Sequence, residues 1–228
     1  MVLIMVHTKT RGQMQGLTHL EVKKNTNWEG GWRTPSMVRW PDQIEAGSVS
    51  NEIMSVMDWF PTYLAAAGNP NINENLLKGV TENGRTYKVH LDGYNMLPFL
   101  TRKEEKGARK ELFYFSDDGE LMALRYNDWK VTFMHQPSQG TLDTWSVSMV
   151  TTRIPWLYNL RRDPYEFATT TSNTYWDLYL DHVNLLLPAS VYVGKFIAIF
   201  KEYPPRMKAA SFNLGDTMKV LEKGSGSK

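Results

Sequence analysis

Three short segments in the second half of the chain combine aromatic and β-branched residues, and turn-forming residues separate them. The segments are ELFYFS (111–116), LMALRY (121–126) and WKVTFM (129–134). The connections Asp-Asp-Gly-Glu and Asn-Asp are typical of tight turns. This pattern predicts an antiparallel β-meander. After a polar connection over 135–152, IPWLYNL (154–160) predicts a fourth strand.

The first half of the chain predicts one short strand, at 37–40, and one helix over about 58–67. Asp58 is a suitable N-cap for this helix, because its carboxylate can accept from the free N–H groups of the first turn. Pro61 falls in the first turn, where its missing N–H is harmless, and Gly68 falls just past the end. Residues 69–88 are rich in Asn, Gly and Lys, and they predict a surface loop.

Two helices are predicted near the C-terminus, over about 174–187 and 189–203, with Pro188 kinking or dividing them. The apolar stretch 185–200 is short, is interrupted by this proline and contains a lysine. It therefore predicts a buried helix pair rather than a transmembrane span. The predicted fold class is α+β, with the strands first and the helices packed on one face of the sheet. The charged run at 102–110 is the best candidate for a domain boundary.

Composition excludes several classes of function. The chain has 26 basic and 24 acidic residues, a net charge of +2 and no cysteine. A balanced charge without a basic cluster gives no reason to expect a nucleic-acid or anionic-membrane partner. The absence of cysteine excludes disulfides, thiolate metal sites and a cysteine nucleophile. The five histidines show no metal-binding spacing, and Asp117-Asp118-Gly119 is better explained as a hairpin turn.

No targeting segment is recognised in the sequence. The apolar run at the start is too short for a secretory signal and no small-residue cleavage site follows it. The interpretation is a soluble chain of unknown compartment. The tail GSGSK (224–228) has the composition of a flexible linker.

One stretch carries a family resemblance. Residues 24–35, KNTNWEGGWRTP, are similar to the K-x-x-x-[YW]-E-G-G-x-R-x-P element of sulfatases, especially bacterial arylsulfatases. The similarity continues, in order, through MVRWP (37–41), the stretch from SNEI to LAAAG (50–68), HLDGYN (90–95), FYFSDDGELMALRYNDWK (113–130) and LYNLRRDPYE (157–166). It covers most of the chain from about Leu17 onward.

The resemblance implies a division of the chain into parts. Family members have a large α/β domain of the alkaline-phosphatase type, followed by a small domain with a four-stranded antiparallel sheet and a packed helix. Residues 17–105 would be the C-terminal remnant of the α/β domain, and 106–223 would be the sheet and helix subdomain. Residues 1–16 do not resemble the family.

The resemblance also implies an activity, the hydrolysis of sulfate esters by a formylglycine nucleophile and a calcium ion. Lys24 falls at the family's sulfate-contacting lysine, whose ammonium group offsets the sulfate charge. Glu29 and Arg33 are expected to brace this loop, and Gly30 and Gly31 to permit tight backbone turns.

The sequence also departs from the family pattern at two motifs. The sequence contains no C/S-x-P-x-R motif, so the residue that becomes formylglycine is missing. The Asp-Asn-Gly metal element that should stand shortly before Lys24 is also missing. No cofactor is therefore expected in this chain, and it is expected to hydrolyse no sulfate ester alone.

The first sixteen residues suggest a hypothesis about the gene. Some choices of synonymous codons for residues 1–16 encode, when the reading frame starts two bases later, an Asp-Asn-Gly and then a Trp-Pro-Asp-Ala-Gly. These residues would then be out-of-frame translation within a fragmentary sulfatase gene. The alternative is a divergent or engineered N-terminus, and DNA incompatible with the shifted Asp-Asn-Gly would exclude the frameshift.

Two alternatives to a fragment of an enzyme stay open. The chain could be a non-catalytic module that binds a partner chain, or a pseudo-enzyme that holds a sulfated ligand through Lys24. A truncated α/β domain is also expected to expose apolar surface and to promote self-association or binding of a partner. The residues expected at that surface are Met37, Trp40, Trp59, Phe60, Tyr63 and Leu64.

Overall fold

The computed structural model describes residues 2–4, 26–138 and 143–205. The strands are β1 (Val2–Ile4), β2 (Met37–Arg39), β3 (Val80–Glu82), β4 (Arg85–Tyr87), β5 (Glu111–Phe115), β6 (Leu121–Tyr126), β7 (Trp129–His135) and β8 (Val150–Asn159). The helices are α1 (Glu29–Trp32), α2 (Trp59–Ala66), α3 (Ile72–Lys78), α4 (Leu97–Leu100), α5 (Asp143–Ser146), α6 (Ala168–Thr171), α7 (Tyr175–His182) and α8 (Leu186–Glu202). The fold is α+β, as the sequence predicts.

The largest sheet has four antiparallel strands in the order β5-β6-β7-β8. Its turns use residues that tolerate a left-handed backbone, namely Gly119 (φ 81°) between β5 and β6 and Asn127 (φ 51°) between β6 and β7. The predicted meander is therefore confirmed. The fourth strand begins at Val150, earlier than the pattern suggested, because Met134 and His135 at the end of β7 pair with Thr151 and Val150.

The pairing register places three polar side chains of the sheet beside one another. Arg125 of β6 lies opposite Lys130 of β7, and Lys130 lies opposite Tyr158 of β8. Directly opposed residues project on the same face of a sheet. This face receives the segment that contains α1.

The opposite face of the sheet is apolar and packs against the C-terminal helices. Val131 and Leu157 are paired in register and form a buried cluster with Tyr175 and Tyr179 of α7. Residues that alternate along a strand point to opposite faces, so a single sheet can join this core to the polar face.

Helix α8 packs on the same apolar face near the sheet edge. The ring of Phe196 stacks on Phe113 with the centroids 4.0 Å apart, and Tyr192 contacts the ring of Tyr126 at 5.0 Å. The half-buried residues of α8 recur every three or four positions, as one helical stripe requires. They are Leu186, Ala189, Val193, Phe196 and Ile199.

The predicted division at Pro188 is wrong. A short 3₁₀ turn at Val183–Leu185 joins α7 to α8, and Pro188 lies in the first turn of α8, where a missing N–H costs no helical hydrogen bond. The result is one helical run, Tyr175–Glu202, of 28 residues.

The prediction of a buried helix pair is also wrong. No residue of α8 is fully buried, and Leu187 on its outer side is 73% exposed. The run Tyr175–Glu202 is long and apolar enough to cross a membrane, by length and composition only. The expectation that no segment is long and apolar enough to span a membrane is therefore wrong for this helix.

Helix α2 matches its prediction except for its cap. Gly68 follows the helix with a φ of 97°, as a C-terminal glycine should. Asp58 precedes the helix, but its side chain makes no capping bond to it. The carboxylate instead accepts from the N–H of Ser55, one turn earlier, and from Arg109.

The predicted surface loop at 69–88 is structured. It contains α3 and a hairpin of β3 and β4, whose turn is Asn83-Gly84 with φ values of 51° and 74°. These angles are those of a type I′ turn, for which Asn-Gly is a strong signal. The short strands flanking it lack apolar alternation, so only the turn dipeptide could have revealed the hairpin.

The strand predicted at 37–40 is confirmed as β2, which pairs antiparallel with β1. The charged run at 102–110 is not a free linker, since Gly107 and Arg109 within it are buried.

Candidate functional site

The segment 26–33 lies on the polar face of the sheet, and Glu29 is its centre. The carboxylate of Glu29 is 1% exposed. Its Oε2 accepts from Arg33 Nε at 2.7 Å and from Arg125 Nη1 at 2.8 Å. Its Oε1 accepts from the Tyr114 hydroxyl and lies 3.4 Å from Lys130 Nζ. One carboxylate thereby joins the segment to strands β5, β6 and β7.

These partners determine the charge of Glu29. Burial raises its pKa, but the positive charges of Lys130 and Arg125 and the hydrogen bond from Tyr114 outweigh burial and lower the pKa of Glu29 to about 2. Burial and the Glu29 charge raise the pKa of Tyr114, so its hydroxyl keeps the proton that it donates. Glu29 is therefore an anion at ordinary pH and is not available as a general base.

Lys130 is the cation at the base of the cluster and is completely buried. Its Nζ lies 2.7 Å from Glu166 Oε1, donates to the carbonyl of Asn27 and lies 4.5 Å from the centre of the Tyr114 ring. Each of these groups is electron-rich, so the ammonium is neutralised on several sides.

Glu166 closes the cluster from the loop after β8. Its Oε2 accepts from the backbone N–H of Glu29 at 2.7 Å. The backbone of Glu166 has a φ of 58°, a conformation that a glutamate rarely adopts. Burial raises the pKa of Glu166, although Lys130 acts in the opposite direction. We call Glu29, Tyr114, Arg125, Lys130 and Glu166 the Glu29 cluster.

Aromatic contacts and further hydrogen bonds hold the rest of the segment. Trp28 stacks on Trp156 of β8 at 6.4 Å, and Trp32 meets Tyr114 edge-on at 4.8 Å. Asn27 donates through Nδ2 to the carbonyl of Met134 at 2.8 Å. The arrangement is a fixed support rather than a reaction centre, because each charged group of the cluster is engaged with another.

The structure places the residues expected in this loop as follows. Glu29 and Arg33 form an ion pair, and Arg33 is partly exposed. Gly30 and Gly31 lie within α1, a single helical turn in which the Gly31 N–H donates to the Trp28 carbonyl at 2.9 Å, and a Cβ on Gly30 would meet no atom within 4 Å. Lys24 lies outside the described residues.

A second buried ion pair lies in the first half of the chain. Arg109 donates from Nε and Nη2 to the two carboxylate oxygens of Asp58, at 2.8 and 2.7 Å. The same guanidinium donates to the carbonyl oxygens of Asp92 and Glu111, and lies 4.8 Å from the centre of the Tyr94 ring. This bidentate pair ties α2 to the start of β5.

Sequence reasoning missed both ion pairs. Lys130 and Arg125 stand inside apolar strand patterns, and a charge at such a position is a signal of a buried partner. Asp58 was assigned to a helix cap, and no local pattern reveals a partner 51 residues away.

The calcium site of the family is not reproduced by the residues that the structure describes. Within those ranges, no group of three or more His, Asp or Glu residues could hold a metal ion. The acidic residues of the two buried clusters are engaged with Lys and Arg, which would repel a cation. The described residues therefore do not fit a calcium ion.

A cavity of about 820 Å³ lies between Arg109 and helix α8. Its walls include the aromatic rings of Tyr94, Phe113 and Phe196. Glu111 accepts from the Tyr94 hydroxyl on the same wall, and Lys195 lies at the α8 side.

Two family models match the chain. The C-terminal region of aryl-sulfatase matches residues 107–187, and the sulfatase model matches residues 10–69. The second match begins within the segment 1–16.

Known relatives agree with these matches. Arylsulfatase A of Homo sapiens is 32% identical over 166 residues, which are 69% of this chain and 29% of that protein. Steryl-sulfatase of Homo sapiens is 32% identical over 116 residues, covering 48% of this chain and 17% of that one. N-acetylgalactosamine-6-sulfatase of Homo sapiens is 29% identical over 157 residues, or 63% of this chain and 27% of that one.

Among solved structures, the PsFucS1 sulfatase from Pseudoalteromonas sp. is similar to this chain. The TM-score is 0.62 at 26% sequence identity, and the match covers 82% of this chain and 34% of that one. The chain thus spans about a third or less of the length of these proteins.

Proposed function

The chain belongs to the sulfatase family, and on this premise we propose that it provides the C-terminal portion of an arylsulfatase-like sulfuric ester hydrolase. The observation that carries this proposal is the Glu29 cluster. Glu29 lies in the part that matches the sulfatase model, and Tyr114, Arg125, Lys130 and Glu166 lie in the part that matches the C-terminal region. Buried ion pairs join these two parts as one unit.

The role of this unit is to hold the segment 26–33, which follows Lys24 closely in the sequence. In this segment the Asn27 carbonyl accepts from Lys130. The Glu29 carboxylate accepts from Tyr114 and Arg125. By the family resemblance, Lys24 supplies the ammonium group that contacts the sulfate. A preorganised cation stabilises the negative charge that grows on sulfate oxygens during ester cleavage.

We expect this chain alone not to catalyse the reaction. Its sequence has no C/S-x-P-x-R motif to supply a formylglycine. The described residues offer no fitting site for calcium. We therefore assign it a binding and supporting role, with the nucleophile and the metal ligands supplied by the remaining part of a sulfatase α/β domain.

The surface that would meet that remaining part is apolar. Several side chains on and before α2 are exposed, including Val56 (74%), Phe60 (52%) and Tyr63 (38%). Met37 is also exposed, whereas Trp59, expected at the same surface, is buried. We call Val56, Met57, Phe60 and Tyr63 the α2 patch. Residues 17–105 would then be the C-terminal remnant of the α/β domain, and 106–223 the sheet and helix subdomain.

The exposed α2 patch also favours a second function, that of a non-catalytic module that binds a partner chain. Both functions predict binding through this patch, and only the first predicts sulfatase activity of the complex.

Helix Tyr175–Glu202 packs one side on the sheet through Phe196 and Tyr192. This packing favours the interpretation that the helix belongs to a water-soluble domain rather than spanning a membrane.

Co-expression tests the proposal. The full chain is produced with a polypeptide that supplies the remaining sulfatase α/β domain, including the C/S-x-P-x-R motif, and the purified complex is assayed with 4-nitrophenyl sulfate. We expect activity only when both chains are present. K24A should abolish activity without weakening the complex, and K23A, at the neighbouring lysine, is the matched control.

F60D should prevent assembly of the complex in the same experiment. A complex that forms and stays inactive with every sulfate ester tested would support the binding module and contradict the enzyme. Equal activity of K24A and K23A would contradict the role of Lys24.

A further inference from the structure

The cavity beside helix α8 has aromatic walls that are only partly covered. Its volume is about 820 Å³, and rings of both the sheet and the helix line it, among them Phe113 and Phe196. Other apolar side chains on its walls are well exposed, namely Trp32 (40%), Met57 (45%) and Phe200 (36%). Apolar walls of this kind gain stability when a further apolar group covers them.

The end of helix α8 is held beside this cavity. Tyr203 follows the last helical residue and is no longer helical, with a φ of −121° and a ψ of 75°. Its ring lies 5.8 Å from that of His90, which lines the cavity. Lys88 Nζ lies 5.9 Å from the centre of the Tyr203 ring and 3.6 Å from the carboxylate of Glu202. These contacts fix the point from which the chain continues.

The chain continues from this point along the cavity wall. Pro204 and Pro205 follow Tyr203, and Pro205 is itself one of the residues that line the cavity. A proline favours an extended conformation of the residue before it, so Pro204 leads the chain away from the helix. Residue 206 therefore begins about 3.8 Å, one Cα–Cα step, from a residue of the wall.

The segment that follows has a suitable sequence for covering the walls. Residues 206–214, RMKAASFNL, lie outside the described ranges and include Phe212 and Leu214 at alternate positions. Alternate side chains of an extended chain project on the same side. The seven steps from Pro205 to Phe212 reach up to about 23 Å in an extended chain, enough to pass along the walls from this end.

We propose that residues 206–214 occupy the cavity of the same chain in an extended conformation. Phe212 and Leu214 cover the rings of Phe113 and Phe196. The C-terminal segment then joins helix α8 to the first half of the chain, because Met57 lies on the opposite wall of the same cavity.

Charge favours entry of the segment at this end of the cavity. Residues 206–214 contain two basic side chains and no acidic one. The carboxylate of Asp92 lines the cavity and lies 3.2 Å from Nδ1 of His90, the residue that contacts Tyr203. Arg206 is next to Asp92 on the proposed path, so opposite charges meet where the segment enters.

Tethering favours a segment of the same chain over a separate partner. A linked segment acts at an effective concentration in the millimolar range, which a dilute partner does not reach. The cavity is also largely distinct from the α2 patch. Met57 belongs to both, but Val56, Phe60 and Tyr63 do not line the cavity. A partner bound at the α2 patch therefore leaves most of the cavity walls to the segment.

Photocrosslinking of the full chain tests this placement. Phe212→benzoylphenylalanine is irradiated at low protein concentration, and the products are digested and mapped by mass spectrometry. We expect an adduct at monomer mass on the peptides that contain Phe113 or Phe196. Ser227→benzoylphenylalanine, in the linker-like tail, is the control and should give no adduct there. An adduct found only in crosslinked dimers, or no adduct on the cavity walls, would contradict the inference.

Thermal melts of the full chain test the contribution of the two apolar side chains. F212D and L214D should each lower the melting temperature by roughly 4–8 °C, because each loses a buried apolar group. S211D and N213D, at the intervening positions, are the matched controls and should change it by less than about 2 °C. Equal melting temperatures of F212D and N213D would contradict the inference. Such a result, together with a raised melting temperature of the complex with the remaining sulfatase domain, would assign the cavity to that domain instead.

Discussion

The ammonium nitrogen of Lys130 lies 2.7 Å from the carboxylate of Glu166, and both side chains are almost completely buried. A charge in this environment depends on its partner, because it has lost its hydration. Glu166 also accepts from the backbone N–H of Glu29, so this pair connects the sheet to the segment that follows Lys24. The predictions below test how far the fold depends on these contacts.

Replacing Lys130 should destabilise the chain severely. K130M leaves the carboxylates of Glu29 and Glu166 buried without their common cation, and the expected loss is about 3–5 kcal/mol. Urea denaturation followed by tryptophan fluorescence measures it. K110M, at an exposed lysine, is the control. The double variant K130M/E166Q should recover part of the loss, and equal effects of K130M and K110M would disprove the role of the pair.

Acid should weaken the fold through Glu29. The pKa of this carboxyl is lowered to about 2, below its unfolded value near 4.5, so ionised Glu29 stabilises the native state above the unfolded pKa. That contribution, about 3 kcal/mol at neutral pH, is lost as the pH falls from 4.5 toward 2.

The pKa of Glu166 is raised, and its linkage has the opposite sign. The native state binds the Glu166 proton more tightly than the unfolded state does. The contribution of Glu166 to stability therefore decreases as the pH rises through its folded pKa. In denaturation measured from pH 2 to 7, E29Q should reduce the acid dependence and E166Q should not. An unchanged acid dependence in E29Q would exclude Glu29 as its source.

Arg109 should not be replaceable by lysine. Its guanidinium binds both carboxylate oxygens of Asp58 and two carbonyls, a geometry that a single ammonium cannot reproduce. We expect R109K to cost about 2 kcal/mol and R109A about 3–5 kcal/mol. R102K, at an exposed arginine, is the comparison in the same denaturation experiment. A melting temperature of R109K equal to that of R102K would contradict this view.

Two glycines should respond in opposite ways to alanine. A Cβ on Gly93 would overlap the carbonyl oxygen of Met57 and lie 3.2 Å from Pro61, so G93A should lose about 3 kcal/mol or more. A Cβ on Gly30 meets no atom, and this position is helical, so G30A should gain about 0.5–1 kcal/mol. Differential scanning calorimetry of the two variants compares them directly. A G93A variant as stable as the wild type would contradict the packing around Gly93, and a loss of stability in G30A would contradict the expectation for Gly30.

Some local features of the fold were predictable from the sequence and others were not. The meander was predictable because aromatic strands and turn residues such as Gly119 and Asn127 lie next to each other in the chain. The hairpin at Asn83-Gly84 was missed because its short strands are exposed and carry no apolar pattern. The assignment of Pro188 failed because a proline in a first turn does not interrupt a helix.

The candidate site was predictable only in part. The motif that contains Glu29 and Arg33 drew attention to the loop, but the partners of Glu29 come from residues 85 to 137 positions later in the chain. Only the pairing of β6 with β7 places Arg125 beside Lys130. Tertiary contacts of this kind are absent from single-sequence patterns.

We propose this chain as a supporting C-terminal portion of a sulfatase and expect it to hydrolyse no sulfate ester alone. Hydrolysis of 4-nitrophenyl sulfate by the purified chain alone, with calcium present, tests that claim most directly. We predict no release of 4-nitrophenol above a protein-free blank for the wild type and for K24A. Turnover by the wild type that K24A abolishes and K23A preserves would contradict the claim.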